Sequence, residues 1–234
     1  MAMQFTASSS QYFTPMSSIN TWLNTTATLT YWINTTQVGS DTTWNAPGVC
    51  GWEQVAAQND IFWGIISADG YTGGSVGDVV VWSTTAINDG SWHHVACERN
   101  SSTGGWEIFV DGYSENTGTL LSGDIAYSWN SIGMIGDSGA TPIYLDGKLS
   151  DVRIYDRLVT AKEIEIIYTD RSGDNIYDGL ISRWNLDEKE PGATASGSGT
   201  VIDMATTGNH GTSVNSPQYA ESVVFPRRRR KRSI

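Results

Sequence analysis

Asp89-Gly-Ser-Trp-His-His-Val-Ala-Cys-Glu-Arg-Asn100, the turn Ser101-Ser-Thr-Gly-Gly105 and Trp106-Glu-Ile-Phe-Val-Asp-Gly112 form the stretch on which the fold turns. Two runs of β-branched and aromatic residues flank a small polar connection, and Asp-Gly pairs punctuate both ends. That pattern predicts an antiparallel hairpin. Alternation along its second strand puts Trp106, Ile108 and Val110 on one face, and Glu107, Phe109 and Asp111 on the other. A strand with one dry face needs a second layer, so the hairpin belongs in a β-sandwich.

The rest of the composition agrees. Charged residues are 17%, against 25 Gly and 10 Trp, and five Asp-Gly pairs begin at residues 69, 89, 111, 146 and 178. Low charge with many turn formers and aromatics reads as all-β, of the kind that works outside a cell. A length of 234 residues suits one large sandwich or two small domains.

The net charge of -11 conceals an asymmetry, because six of the fourteen basic residues are Arg227, Arg228, Arg229, Arg230, Lys231 and Arg232. The body so defined is strongly acidic. It repels nucleic acid and anionic membranes, and suits calcium, cationic partners or solubility. We expect the basic end to be a solvated tail or a docking device for an acidic protein surface, with nucleic acid reached only through it. No run is long and apolar enough to span a membrane, and Met1-Ala2-Met3-Gln4-Phe5 leads directly into a strand instead of a signal peptide. Release by lysis, as for a virion component, is the localisation expected.

Several other features have a structural and a functional reading. Ala27–Asn34 alternates as a strand with one buried face and a half-covered outer one. Residues 49–83 predict three strands, at Cys50-Gly51-Trp52, Ile61-Phe-Trp-Gly-Ile-Ile66 and Val79-Val-Val-Trp82. Residues 68–77 read as a Gly-rich loop, without the Lys and following helix of a phosphate cradle. Trp63, Tyr71, Trp82 and Trp129 are candidates for a sugar-stacking platform, since flat rings cover the apolar faces of sugars. Core packing is the competing role for each. His93 and His94 are adjacent, so on a strand they face opposite ways and do not chelate one metal; His94 is expected as a satisfied core or inter-sheet residue. Cys50 and Cys97 are expected as buried free thiols. Asn24, Asn34 and Asn100 begin sequons read as coincidences of a Thr-rich chain. Thr160-Ala-Lys-Glu163 is a capping box opening a short helix, with Ile164, Ile167 and Tyr168 on its inner face.

Trp92-His-His-Val-Ala96 followed by Ile108-Phe-Val-Asp-Gly112 resembles the central signature of concanavalin A-like, laminin-G-like and pentraxin-like sandwiches. Tyr144-Leu-Asp-Gly-Lys-Leu-Ser-Asp-Val-Arg-Ile-Tyr155, then Thr160 to Ile164, is similar to a second stretch of that family. The resemblance implies a jelly-roll of two antiparallel sheets with one short helix plugging it, and an opening strand pair across residues 3–13. Family carboxylates near Ser8 to Tyr12 are absent, as is the Glu-x-Asp-x-x-Glu strand motif of laminarinase-type relatives. Pentraxin-like relatives would set a disulfide mate for Cys97 near Leu29. A single structural calcium, held by Asp146, Asp151, Asp187 or Asp203, is implied by such relatives; turn capping is the competing role.

Gly179-Leu-Ile-Ser-Arg-Trp-Asn-Leu-Asp-Glu188 and the strand-like pieces after it resemble the segment that normally opens such domains. We therefore expect a circularly permuted single domain over residues 1–226. Residues 1–168 form its body, residues 176–225 return to complete its sheets, and 227–234 form the tail. The function expected is a non-catalytic binding or structural module, displayed on a phage or virion surface as a decoration or fibre protein in a multi-copy or homo-oligomeric assembly with capsid or tail proteins. The alternative is a soluble lectin for cell-surface glycans, binding with or without calcium; a glycoside hydrolase trails both.

Overall fold

The computed structural model describes residues 1–222 apart from 57–58, 140 and 171–173; residues 223–234 lie outside the description, and with them the basic run at 227–232. The strands are β1 (Ala2–Phe5), β2 (Tyr12–Pro15), β3 (Ala27–Asn34), β4 (Cys50–Glu53), β5 (Ile61–Ile66), β6 (Tyr71–Val76) and β7 (Val79–Ala86). They continue as β8 (Trp92–Asn100), β9 (Gly105–Val110), β10 (Tyr113–Thr119), β11 (Met134–Asp137), β12 (Ile143–Tyr144) and β13 (Gly147–Tyr155). The last four are β14 (Leu180–Trp184), β15 (Gly197–Val201), β16 (Gly211–Val214) and β17 (Gln218–Ala220). A one-turn helix α1 (Asn20–Leu23) precedes β3, and α2 (Ala161–Thr169) follows β13.

Two sheets face each other. The larger runs β10-β9-β8-β3-β13-β1-β17, with β14 beside β13, and the smaller runs β12-β11-β4-β5-β6-β7. The expected hairpin is β8–β9, with Cys97 opposite Ile108 and Asn100 opposite Gly105. Trp106, Ile108 and Val110 enter the main core as the alternation requires. Trp63 and Trp106 meet there from opposite sheets, with ring centroids 4.5 Å apart.

The sandwich departs from the sequence expectation in four places. One pair is parallel: β11 lies beside β4 with Met134 opposite Cys50. The opening strands do not pair with each other. β1 joins the larger sheet between β13 and β17, while β2 joins β16 and β15 in a separate three-stranded sheet. The supposed Gly-rich loop contains a full strand, β6, and its glycines are needed there for close approach. A Cβ on Gly74 would fall inside the Trp106 indole, and one on Gly73 inside that of Trp82. Finally, α2 does not plug an end of the sandwich; it lies on the outer face of the larger sheet.

That placement buries what alternation left half-covered. Ile164 and Ile167 pack on Ala96, Phe109, Tyr155 and Val159, forming a second apolar cluster. Tyr168 stacks on Trp32 at 5.6 Å, with 23° between the planes. The capping box forms as read: Thr160 Oγ1 accepts from the Glu163 amide, and the Glu163 carboxylate accepts from the Thr160 amide. Arg157 forks onto the same carboxylate at 2.7 and 2.9 Å. The Arg157 bonds, with help from Thr160, pull the Glu163 carboxyl down to about 2 against the opposing effect of burial.

Both cysteines are free and fully buried. Cys97 sits opposite Leu29 on β3, the place where pentraxin-like relatives would set its mate. Burial pushes the Cys97 thiol up to about 12 and raises that of Cys50. Since the thiolate is the nucleophile, a thiol reagent in excess should label neither cysteine in the native protein and both in denaturant. Stoichiometric labelling of the folded chain would contradict this.

Candidate binding surfaces

The four aromatic candidates separate into two pairs. Trp63 is 0% exposed and Trp129 is 5% exposed, so both are core residues and neither presents a face to a ligand. This corrects the platform expectation for them: Trp63 points inward against Trp106, and Trp129 donates its Nε1–H to Asn24 Oδ1 at 2.9 Å. Tyr71 and Trp82 are half-buried and lie on the outer face of the smaller sheet. Thr72 faces inward, where its hydroxyl meets that of Tyr31 at 3.3 Å, so Tyr71 and Gly73 face outward. Trp82, opposite Gly73 in register, lies across that glycine and packs on the outer apolar cluster of Ala46, Phe62, Ile65 and Ile135. The indole is thus held in place by Gly73 and this cluster while remaining partly exposed.

The four aspartates do not converge either. Asp151 is 4% exposed and accepts from two guanidiniums, Arg153 at 2.7 Å and Arg183 at 2.9 Å. Asp203 is a turn cap, accepting from the amides of Arg183, Ala205 and Asn209 and from the Thr207 hydroxyl. Asp146 and Asp187 are exposed on separate loops. Among the described residues no group of three or more His, Cys, Asp or Glu side chains is arranged to hold a metal ion. His93 and His94 face opposite ways. His93 Nδ1 meets Asp111 at 2.9 Å, whereas His94 packs on Trp32 and Tyr168.

Two acidic features escaped the sequence reading. At one end of the smaller sheet Glu53 lies near Asp60, and more weakly feels Asp137 and Asp78; burial followed by the Asp60 charge lifts its carboxyl to about 7. On the outer face of the larger sheet, Glu98 and Glu107 are direct cross-strand partners. The signal was available, because closing the hairpin at Asn100 and Gly105 sets Glu98 opposite Glu107. What alternation could not show was the depth of Glu98, which the chain leading into α2 covers. Glu98 Oε1 accepts from Thr28 Oγ1 at 3.0 Å and from the Val159 amide at 2.7 Å.

Burial lifts the Glu98 carboxyl to about 7, with those two bonds opposing and the Glu107 charge assisting. Between the unfolded carboxylate value, ~4.5, and 7 the native state therefore holds more protons than the unfolded chain, and stability falls as pH rises. A shift of this size corresponds to roughly 3 kcal/mol. Relative to wild type, Glu98→Gln should gain about 2–3 kcal/mol in urea unfolding between pH 5 and pH 8. Parallel pH profiles for the two proteins would rule this out.

The laminin G family model described as "Concanavalin A-like lectin/glucanases superfamily" matches residues 7–165, and the chain belongs to that superfamily. A curated relative, the sushi, von Willebrand factor type A, EGF and pentraxin domain-containing protein 1 of Rattus norvegicus, is 43% identical over 37 residues, 16% of this chain and 1% of the relative. The chain thus spans only a very small part of that protein. Among solved structures, a candidate carbohydrate-binding protein of Bacteroides ovatus superposes with a TM-score of 0.63 at 18% identity, covering 94% of this chain and 60% of the other. The CBM40 of the Ruminococcus gnavus IT-sialidase gives a TM-score of 0.54 at 12% identity, covering 71% of this chain and 96% of that one. At these identities the likeness is one of fold. No helix among the described residues is long and apolar enough to cross a membrane.

Proposed function

We propose that this protein is a non-catalytic carbohydrate-binding module, and that Trp82, with Tyr71 beside it on the outer face of the smaller sheet, is its sugar-contacting plate. The observation that carries the reading is a half-buried indole packed over Gly73 on the outer face of the smaller sheet. Pre-ordering of this kind lets an aromatic ring meet the C–H face of a sugar at little entropic cost. Two structural neighbours of the same fold are described as carbohydrate binding or as a carbohydrate-binding module, which supports the ligand class.

A glycan array tests it, run once in calcium and once in chelator. Wild type should bind a defined subset of glycans, and Trp82→Ala should weaken that binding about tenfold or more. Unchanged binding by the variant would remove Trp82 from the site. Loss in chelator would assign calcium to the site, with the exposed Asp146 and Asp187 as first candidates. Turnover of aryl glycosides that disappears in Glu107→Gln would overturn the non-catalytic reading.

The finer proposals follow from the sequence. The strands after residue 176 belong to the same domain as the body, in a permuted order, supported by the pairing of β14 with β13 and β17 with β1. Display on a virion rests on the basic run at residues 227–232, which lies outside the described residues; deleting it should abolish incorporation into particles and spare glycan binding.

A further inference from the structure

Across the edge where β7 meets β10, on the outer face of the other sheet, lies a groove of about 280 Å³. That is just below the usual range for small-molecule pockets and leaves room for about one ring. Its walls include Glu98, Asn100, Thr103, Glu107, Thr117 and Leu158. Glu98 is only 7% exposed. Both donors to it among the described residues go to its Oε1, and none of them reaches Oε2. Glu107 lies directly across, and like charges so placed destabilise a sheet unless something between them donates. Asn100 spends its carbonyl oxygen on Ser102 and Thr103, so its amide group remains as a donor. Leu158, 39% exposed, adds an apolar wall.

Paired acceptors about 5 Å apart at their Cβ atoms, a nearby donor and one apolar wall match a ring that carries adjacent hydroxyls and a C–H face. Among the described residues no Lys or Arg lines the groove. Arg157, the nearest guanidinium in sequence to Leu158, is bound to Glu163 and Asp178. Among the described residues a carboxylated or sulfated ring would meet the acidic side chains of Glu98 and Glu107 and no cation.

We propose that this groove is a second binding site, distinct from Trp82, which takes one uncharged sugar ring through its vicinal hydroxyls and rejects acidic sugars. It rests on the preceding reading only for the ligand being a sugar. Isotope-labelled full-length protein is titrated with methyl glycosides of glucose, galactose, mannose and N-acetylglucosamine, and separately with 3′-sialyllactose, up to about 10 mM, tenfold above a 1 mM dissociation constant. At least one neutral glycoside should shift the amide signals of Asn100, Glu107 and Thr117, and sialyllactose should not. Glu107→Gln should weaken that binding about tenfold. Thr117→Arg, on an exposed position of β10, should abolish it by filling the groove, and Trp82→Ala should leave it intact. Shifts confined to β6 and β7, or groove shifts with sialyllactose, would overturn the groove and leave the module reading standing. No shift with any glycoside would overturn both.

Discussion

Replacing Arg153 by Ala should lower the unfolding free energy by about 3–5 kcal/mol, the cost of leaving buried charge without its partner. The guanidinium is fully buried on β13 and grips two carboxylates. Its Nε and one terminal nitrogen donate to Asp151 at 3.0 and 2.7 Å, and its terminal nitrogens donate to Asp174 at 3.0 and 2.8 Å. Asp151 keeps a second cation, Arg183, when Arg153 is removed. Among the described residues Asp174 keeps only weaker help, from the Ile176 amide at 3.1 Å. The penalty therefore falls mainly on Asp174, and Arg153→Ala combined with Asp174→Asn should recover a good part of the loss. Guanidinium unfolding of the two variants decides this. Equal midpoints for the single variant and wild type would show that the network contributes nothing.

A comparable loss, about 3–5 kcal/mol, is expected for Trp184→Ala, which empties a fully buried indole site. Trp184 closes β14 opposite Val152 of β13. Its ring meets Phe13 of β2 edge to face at 5.4 Å, and its Nε1–H donates to the Asn209 carbonyl at 2.8 Å. One side chain thus ties the chain after residue 176 to both the body and the opening strands. If these segments form one cooperative unit, fluorescence and thiol exposure of Cys50 and Cys97 should report the same shifted transition. Two separable transitions, with Trp184→Ala moving just one, would divide the chain into two units.

The hairpin, β3, β5 and the capped helix were legible because each has a strong local pattern. In Ala27–Asn34 and Trp106 to Val110 the hydrophobic period agrees with the final faces. What failed were features that depend on a distant partner. Gly73 and Gly74 read as loop because their locally unfavourable strand propensity is offset by indoles that arrive from Trp82 and Trp106. The parallel β4–β11 pair joins segments with no common signature. Among the aromatic candidates, period alone separates Trp63 from Trp82 only when one knows which face of the smaller sheet is inward. A register shift between Trp63 and Ile65, at Gly64, further obscures it. Asp151 reads from sequence as a calcium ligand or a turn cap because neither Arg183 nor the close turn-back of Arg153 is predictable from spacing. A left-handed backbone at Asp151 (φ 49°) and a bulge between Ser150 and Arg153 bring the two side chains together.

The position of β1 imposes an order on biosynthesis. Its partners are Gly147 to Leu149 on one side and Gln218 to Ala220 on the other. At about 5–20 residues per second, the second partner leaves the ribosome roughly 10–40 s after β1 itself. Throughout that interval Ala2-Met3-Gln4-Phe5 is a strand with an open edge, attractive to any neighbouring nascent chain. High contact order of this kind makes folding slow and late. Yield from a living cell should then depend less on the strength of the finished sandwich than on how densely ribosomes crowd the message, and on whether a holdase shields the first strand until the last is made.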